Sequence, residues 1–245
     1  MVKRKEETMI KNEKGWTMFE LILTLGVVII IMAVIVPIGY HWYAEGKMLK
    51  AKKDVSTIAT AILAFQKDLM DWPVWVNGNN RTPADAKYAV LYSAVGDHPG
   101  CDGTYAKELE WQIALGSGLA DTLENQLVHG RPGGVAANEY PDEADDVMLP
   151  DGSYYYWQGP YLGAHEAGHP GSAAATTYKL PPDPWGNKYY VNVQYLQPTH
   201  QSHGSPNKEA VFVISAGPNE ILETEFIKDS RDWKARGDDI CFRIR

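Results

Sequence analysis

The chain has 245 residues, 44% hydrophobic and 22% charged, with 8 Trp and 14 Tyr, which is ample for a packed core and too aromatic for a disordered chain. A formal charge of −8 and a pI near 5.4 exclude a protein built to sit on nucleic acid, because phosphate binding needs a basic face. A mean hydropathy of −0.32 excludes a polytopic membrane protein.

That average hides one segment. Leu21 to Ala44 contains no Asp, Glu, Lys or Arg, and Leu21 to Ile38 is almost wholly Leu, Ile, Val, Met and Ala. Eighteen residues at a helical rise of ~1.5 Å span ~27 Å, close to the thickness of a bilayer core. The preceding MVKRKEETMIKNEKG carries five Lys or Arg and three Glu. The positive-inside rule therefore keeps it cytoplasmic and exports everything after Ala44. No small-residue signal-peptidase site follows the run, since Gly39-Tyr40-His41-Trp42-Tyr43 is bulky there. Glu20, at the mouth of the span, costs roughly 2.5–3.5 kcal/mol if buried alone, so it either finds a partner or snorkels to the interface. Pro37 lies inside the run and removes a helical hydrogen bond.

From Tyr43 the helix continues, because Val55, Ile58, Ile62, Phe65 and Leu69 recur every three or four residues between Lys52, Lys53, Asp54, Lys67 and Asp68. Trp72-Pro73 ends it, giving one helix of about 55 residues. Residues 84–96 read as a short helix, and 106–129 as two helical patches split by Gly116-Ser117-Gly118. A Gly-rich stretch and the acidic run Asp142, Glu143, Asp145, Asp146 read as solvated loop. Beyond Ser153, Tyr154 to Trp157, Tyr189 to Val193 and Ala210 to Ser215 read as strands of a small antiparallel sheet. Trp157-Gln158-Gly159-Pro160-Tyr161-Leu162 and Pro182-Asp183-Pro184-Trp185-Gly186-Asn187 read as rigid turns pinned by aromatics.

Two stretches suggest metal chemistry. Near the C-terminus, Ser215-Ala216-Gly217-Pro218-Asn219-Glu220 precedes Gly237-Asp238-Asp239-Ile240, and paired carboxylates beside a Gly turn suit a hard cation such as Ca²⁺. A surface acidic pair is the plainer alternative. His165-Glu166-Ala167-Gly168-His169 is a literal H-E-x-x-H, with His200 and His203 downstream. In a zincin the two His bind Zn²⁺ from one helical face while the Glu activates water. Gly163, Gly168, Pro170 and Gly171 oppose that helix, at roughly 1 kcal/mol for each Gly and 3 for Pro. The expectation is a polar loop, with a membrane-anchored zinc metalloprotease as the alternative from another class. No nucleotide or nucleophile motif is present, so the chain is expected not to be an enzyme. Cys101 and Cys241 fit either one long-range disulfide or two unrelated thiols.

GWTMFELILTLGVVIIIMAVIVP resembles the class III signal of type IV pilins and type II secretion pseudopilins, and GPYL followed by DPWGNKY is similar to the head of the major pseudopilin. The likeness covers residues 15–73 and 157–240 and leaves 97–152 as an insertion. It implies an α+β, pilin-like fold, with a long N-terminal helix packed on a small antiparallel sheet. The implied segments are a leader peptide (1–15), a transmembrane and filament-core helix (16–44), its amphipathic half (45–73), a helical and loop insertion (74–152) and a β-sheet head (153–245). It implies cleavage by a prepilin peptidase after Gly15, methylation at Trp16, and a Glu20 carboxylate that neutralises the terminal amine of a neighbouring subunit. It implies calcium at Asp238 and Asp239, although the loop is longer than the family's and Asn219-Glu220 stands where Asp-Gly is usual. The implied product is a periplasmic pseudopilus that drives protein export. Its expected partners are further copies of the chain, minor pseudopilins and the inner-membrane secretion platform, with no nucleic acid. A surface pilus or adhesin-like subunit is the alternative within the same architecture.

Overall fold

A computed structural model of the protein describes residues 16–101, 109–116, 118–142, 155–163, 178–198, 209–226 and 233–245. The chain divides into two compact units, Met1–Gly46 and Lys47–Arg245, and one helix, α1 (Met18–Leu69, 52 residues), belongs to both.

In the first unit, the large apolar side chains from Leu21 to Ile38 are 46–69% exposed, on every side of the helix. This segment is long and apolar enough to cross a membrane. Its one hydroxyl is satisfied within the helix, since Thr24 Oγ1 donates to the Glu20 carbonyl at 2.9 Å. Pro37 sits inside α1 without ending it.

In the second unit the same helix changes character. Ala51, Val55, Ile58, Ile62, Phe65 and Leu69 are fully buried, so the apolar spacing in the sequence is the core face. Phe65 meets Tyr140 and Tyr161 edge-on, with ring centroids 5.0 and 5.8 Å away. The helix stops where Met70 turns left-handed (φ 53°), and Arg81 Nη1 caps the Leu69 carbonyl at 3.3 Å.

The stripe is the helical part of a core shared with a five-stranded sheet, built from β1 (Val90–Tyr92), β3 (Ala120–Thr122), β4 (Tyr190–Val191), β5 (Phe212–Ser215) and β7 (Ile240–Arg243) in the order β3-β1-β4-β5-β7. β2 (Gly100–Cys101) and β6 (Ile221–Leu222) form a separate parallel pair. Central strand β5 is buried along its whole length, and pairs Val213 with Val191 on one side and Phe242 on the other. Helix α2 (Leu109–Gly116) brings Trp111 fully inside. The Trp111 indole N–H donates to the Thr224 carbonyl at 3.1 Å, and its ring stands edge-on to Phe226 at 4.8 Å.

Three expectations are corrected. The sheet is mixed and not antiparallel, because β1 and β3 run parallel on either side of α2. Residues 84–96 are not a helix. Pro83–Asp85 is a short 3-10 turn, and the apolar run that follows is strand β1, paired with β3 and β4. A short buried apolar run has no period of its own, so pairing outweighs the helical preference of its Ala and Lys residues. Residues 155–157 are irregular rather than extended in a sheet, with the Trp157 amide bonded to the Pro141 carbonyl at 2.8 Å. Tyr154 lies outside the described residues. The patch at 106–129 does contain α2 and α3 (Leu123–Leu127), but β3 separates them.

Candidate functional site

The first candidate is the start of α1. Thr17 and Glu20 interlock: Thr17 Oγ1 accepts the Glu20 amide at 3.2 Å, and Glu20 Oε2 accepts the Thr17 amide at 3.5 Å. This is a capping box, in which each side chain satisfies a backbone donor the first turn leaves open. The sequence signal is local: Thr-x-x-Glu ahead of an apolar run. Its carboxylate also lies in the first turn, where the helix dipole favours negative charge. Trp16, beside it, is 68% exposed. Gly15 lies outside the described residues.

The second candidate is the C-terminal loop. Asp238 and Asp239 are placed by backbone contacts from the segment after β5. Asp238 Oδ2 accepts the Asn219 amide at 2.9 Å. Asp239 Oδ2 accepts the amides of Glu223 and Thr224 at 2.9 and 2.6 Å. In return Glu223 Oε2 accepts the Asp238 amide at 3.1 Å. Two glycines permit this close approach: a Cβ at Gly217 (φ 70°) would collide with the Asp238 carbonyl, and one at Gly237 (φ 56°) with the Glu223 carboxylate.

Burial is the main force on Asp239. It pushes the carboxyl up to about 7 against the hydrogen bonds from Thr224 and Glu223, and the nearby Glu223 charge adds to the rise. Among the described residues, Asp238 Oδ1 and Asp239 Oδ1 are buried without a hydrogen-bond donor. Oxygen in that state is what a hard cation would take up. Against this, no group of three or more His, Cys, Asp or Glu side chains among the described residues is placed to hold a metal. The oxygens left open at the loop are thus Asp238 Oδ1 and Asp239 Oδ1, with the Glu223 carboxylate beside them engaged by the Asp238 amide. A cavity of about 660 Å³ adjoins them, lined in part by Met48, Lys52, Trp233 and Phe242.

The two turn motifs of the sequence are structural. Asp183 Oδ1 accepts the amides of Trp185 and Asn187 at 3.0 and 2.8 Å, while its Oδ2 accepts the Ser215 hydroxyl at 2.7 Å. The Asp183–Asn187 turn is thereby tied to the end of β5, immediately before Gly217. Tyr161, of the other motif, donates its amide to the Leu127 carbonyl at 2.8 Å.

Sequence reading missed a buried polar network that joins β3 to α3. Asp121 Oδ2 accepts Gln126 Nε2 at 2.6 Å and the Gly133 amide at 2.9 Å, and its Oδ1 accepts Asn125 Nδ2 at 2.7 Å. Glu124 accepts the amides of Ala94 and Leu180 at 2.9 and 2.8 Å, joining segments far apart in sequence. Burial raises the Glu124 carboxyl, and these amides and Lys188 oppose the rise. No local pattern announces such contacts.

His165, Glu166, His169, His200 and His203 lie outside the described residues. So does the Cys101 side chain, while Cys241 sits half-buried on β7 with its sulfur 3.9 Å from Thr224 Oγ1. Compared with known proteins, the chain matches no family model, no curated protein and no solved structure.

Proposed function

We propose that this chain is a type IV pilin-like subunit, most similar in role to the major pseudopilin of a type II secretion system. The observation that carries this reading is the division of α1. It is apolar and exposed all round from Leu21 to Ile38, and striped and buried from Ala51 to Leu69. A helix with no partner over its first half needs an apolar surrounding, either lipid or the same segment of other copies. In the proposed cycle the segment anchors the precursor in the inner membrane with residues 47–245 exported. A prepilin peptidase cuts after Gly15, and the helices then exchange lipid for one another as a filament forms. Glu20 pairs with the new amine at Trp16 of a neighbour and sets the register. Calcium, held by Asp238 and Asp239, belongs to the same reading; the two donor-less buried oxygens support it.

Because Glu20 also caps α1, two variants separate its roles. Gln keeps a capping side chain but has no charge. Glu20→Ala and Glu20→Gln both insert in the membrane and both fail to form filaments. Normal filaments from Glu20→Gln would reject the charge pairing and leave Glu20 as a helix cap.

A further inference from the structure

The sequence places Tyr40, His41, Trp42 and Tyr43 consecutively at the end of the apolar run, and none has a place in the function proposed above. Tyr40, Trp42 and Tyr43 are 76%, 70% and 65% exposed, and His41 is exposed beside Glu45 at 3.5 Å. At about 100° per residue, four successive helical positions point to four quarters of the circle. A contact with one neighbouring helix uses a stripe, and close helix packing within a membrane favours small residues. Four bulky rings facing all round suit neither.

They do suit the bilayer interface, where every azimuth meets headgroups and the amphipathic rings of Tyr and Trp are favoured. The spacing agrees. Phe19 and Tyr40 are twenty-one residues apart on one helix, ~31 Å, against a hydrocarbon core of about 30 Å. The first charged residues beyond the collar are Glu45 and Lys47, within about two turns of Tyr40. We propose that Tyr40, His41, Trp42 and Tyr43 form an aromatic collar that binds the outer headgroup layer of a phospholipid bilayer and fixes the depth of α1. The inference rests on the reading that α1 spans a membrane.

The test uses the full chain with Cys101→Ser and Cys241→Ser, carrying a nitroxide at Ile30→Cys, Ile38→Cys or Ala44→Cys, in vesicles of phosphatidylcholine and phosphatidylglycerol. Depth is read from collision with oxygen against a water-soluble nickel chelate. The collar predicts a deep label at 30, a shallower one at 38 and a wet one at 44. In Tyr40→Leu/Trp42→Leu/Tyr43→Leu the label at 44 moves inward by about one helical turn, ~5 Å. Tyr40→Trp/Tyr43→Trp keeps the parent profile, which guards against a merely misfolded triple variant. An unchanged depth at 44 in the triple Leu variant, or inward movement in the double Trp variant, overturns the collar. A water-exposed label at 30 overturns the membrane span instead.

Discussion

The two halves of α1 share one backbone and differ in what surrounds them. From Leu21 to Ile38 no face is spared: Ile, Val and Leu point in every direction and none is covered. From Ala51 to Leu69 a single stripe (Ala51, Val55, Ile58, Ile62, Phe65 and Leu69) is fully buried against the core, while Lys52, Lys53, Leu63 and Lys67 lie exposed on other faces. The difference teaches that periodicity reports the solvent rather than the helix. A striped helix separates water from a core, and an unstriped apolar one expects an apolar medium throughout.

The sharpest way to break the comparison is to cut the same kind of bulk from each half. Phe65→Ala removes a ring wedged between Tyr140 and Tyr161 and should destabilise the second unit by about 3–5 kcal/mol, read as a lower denaturation midpoint of the full chain in detergent. Ile30→Ala, which deletes a side chain that touches no core, should leave that midpoint within about 0.5 kcal/mol. Equal losses from both would show that the halves are not energetically distinct.

Within the second unit, the polar network offers a somewhat smaller effect. Asp121→Ala leaves the Gly133 amide and the Gln126 side chain without their acceptor, at a cost of about 2–3 kcal/mol by the same measurement. A loss under 0.5 kcal/mol would mean that water replaces the carboxylate there.

The C-terminal loop is sharpened by pH. Asp239 binds its proton more tightly folded (about 7) than an ordinary carboxyl does unfolded (3.8), so the folded state holds the extra proton between those values. Its contribution to stability is therefore full below about pH 4 and falls as pH rises to about 7, by up to roughly 4 kcal/mol. Asp239→Asn should flatten that part of the profile. If calcium binds there, it stabilises the charged form, so adding it at pH 8 raises the Tm of the parent and not of Asp238→Ala/Asp239→Ala. A parent Tm that ignores both calcium and chelator removes the metal from the account.

What was legible in the sequence follows from the range of the forces involved. The apolar run is long, the stripe from Val55 to Leu69 is periodic, and both stand in the structure. Strand β1 was misread because Ala89-Val90-Leu91 is too short to show a period, and its identity comes from Ala120–Thr122 and Tyr190–Val191, distant in the chain. The acidic pair at 238–239 was visible, but the amides of Asn219, Glu223 and Thr224 that position it were not. The Thr17–Glu20 box is the opposite case, a signal wholly local to four residues.

The central claim is that α1 begins as a processed pilin-like helix, and it meets its most direct test in the intact mass and N-terminal sequence of the protein from its native membrane. The account predicts a chain that starts at methylated Trp16. A chain that still starts at Met1, in cells with an active prepilin peptidase, would contradict it.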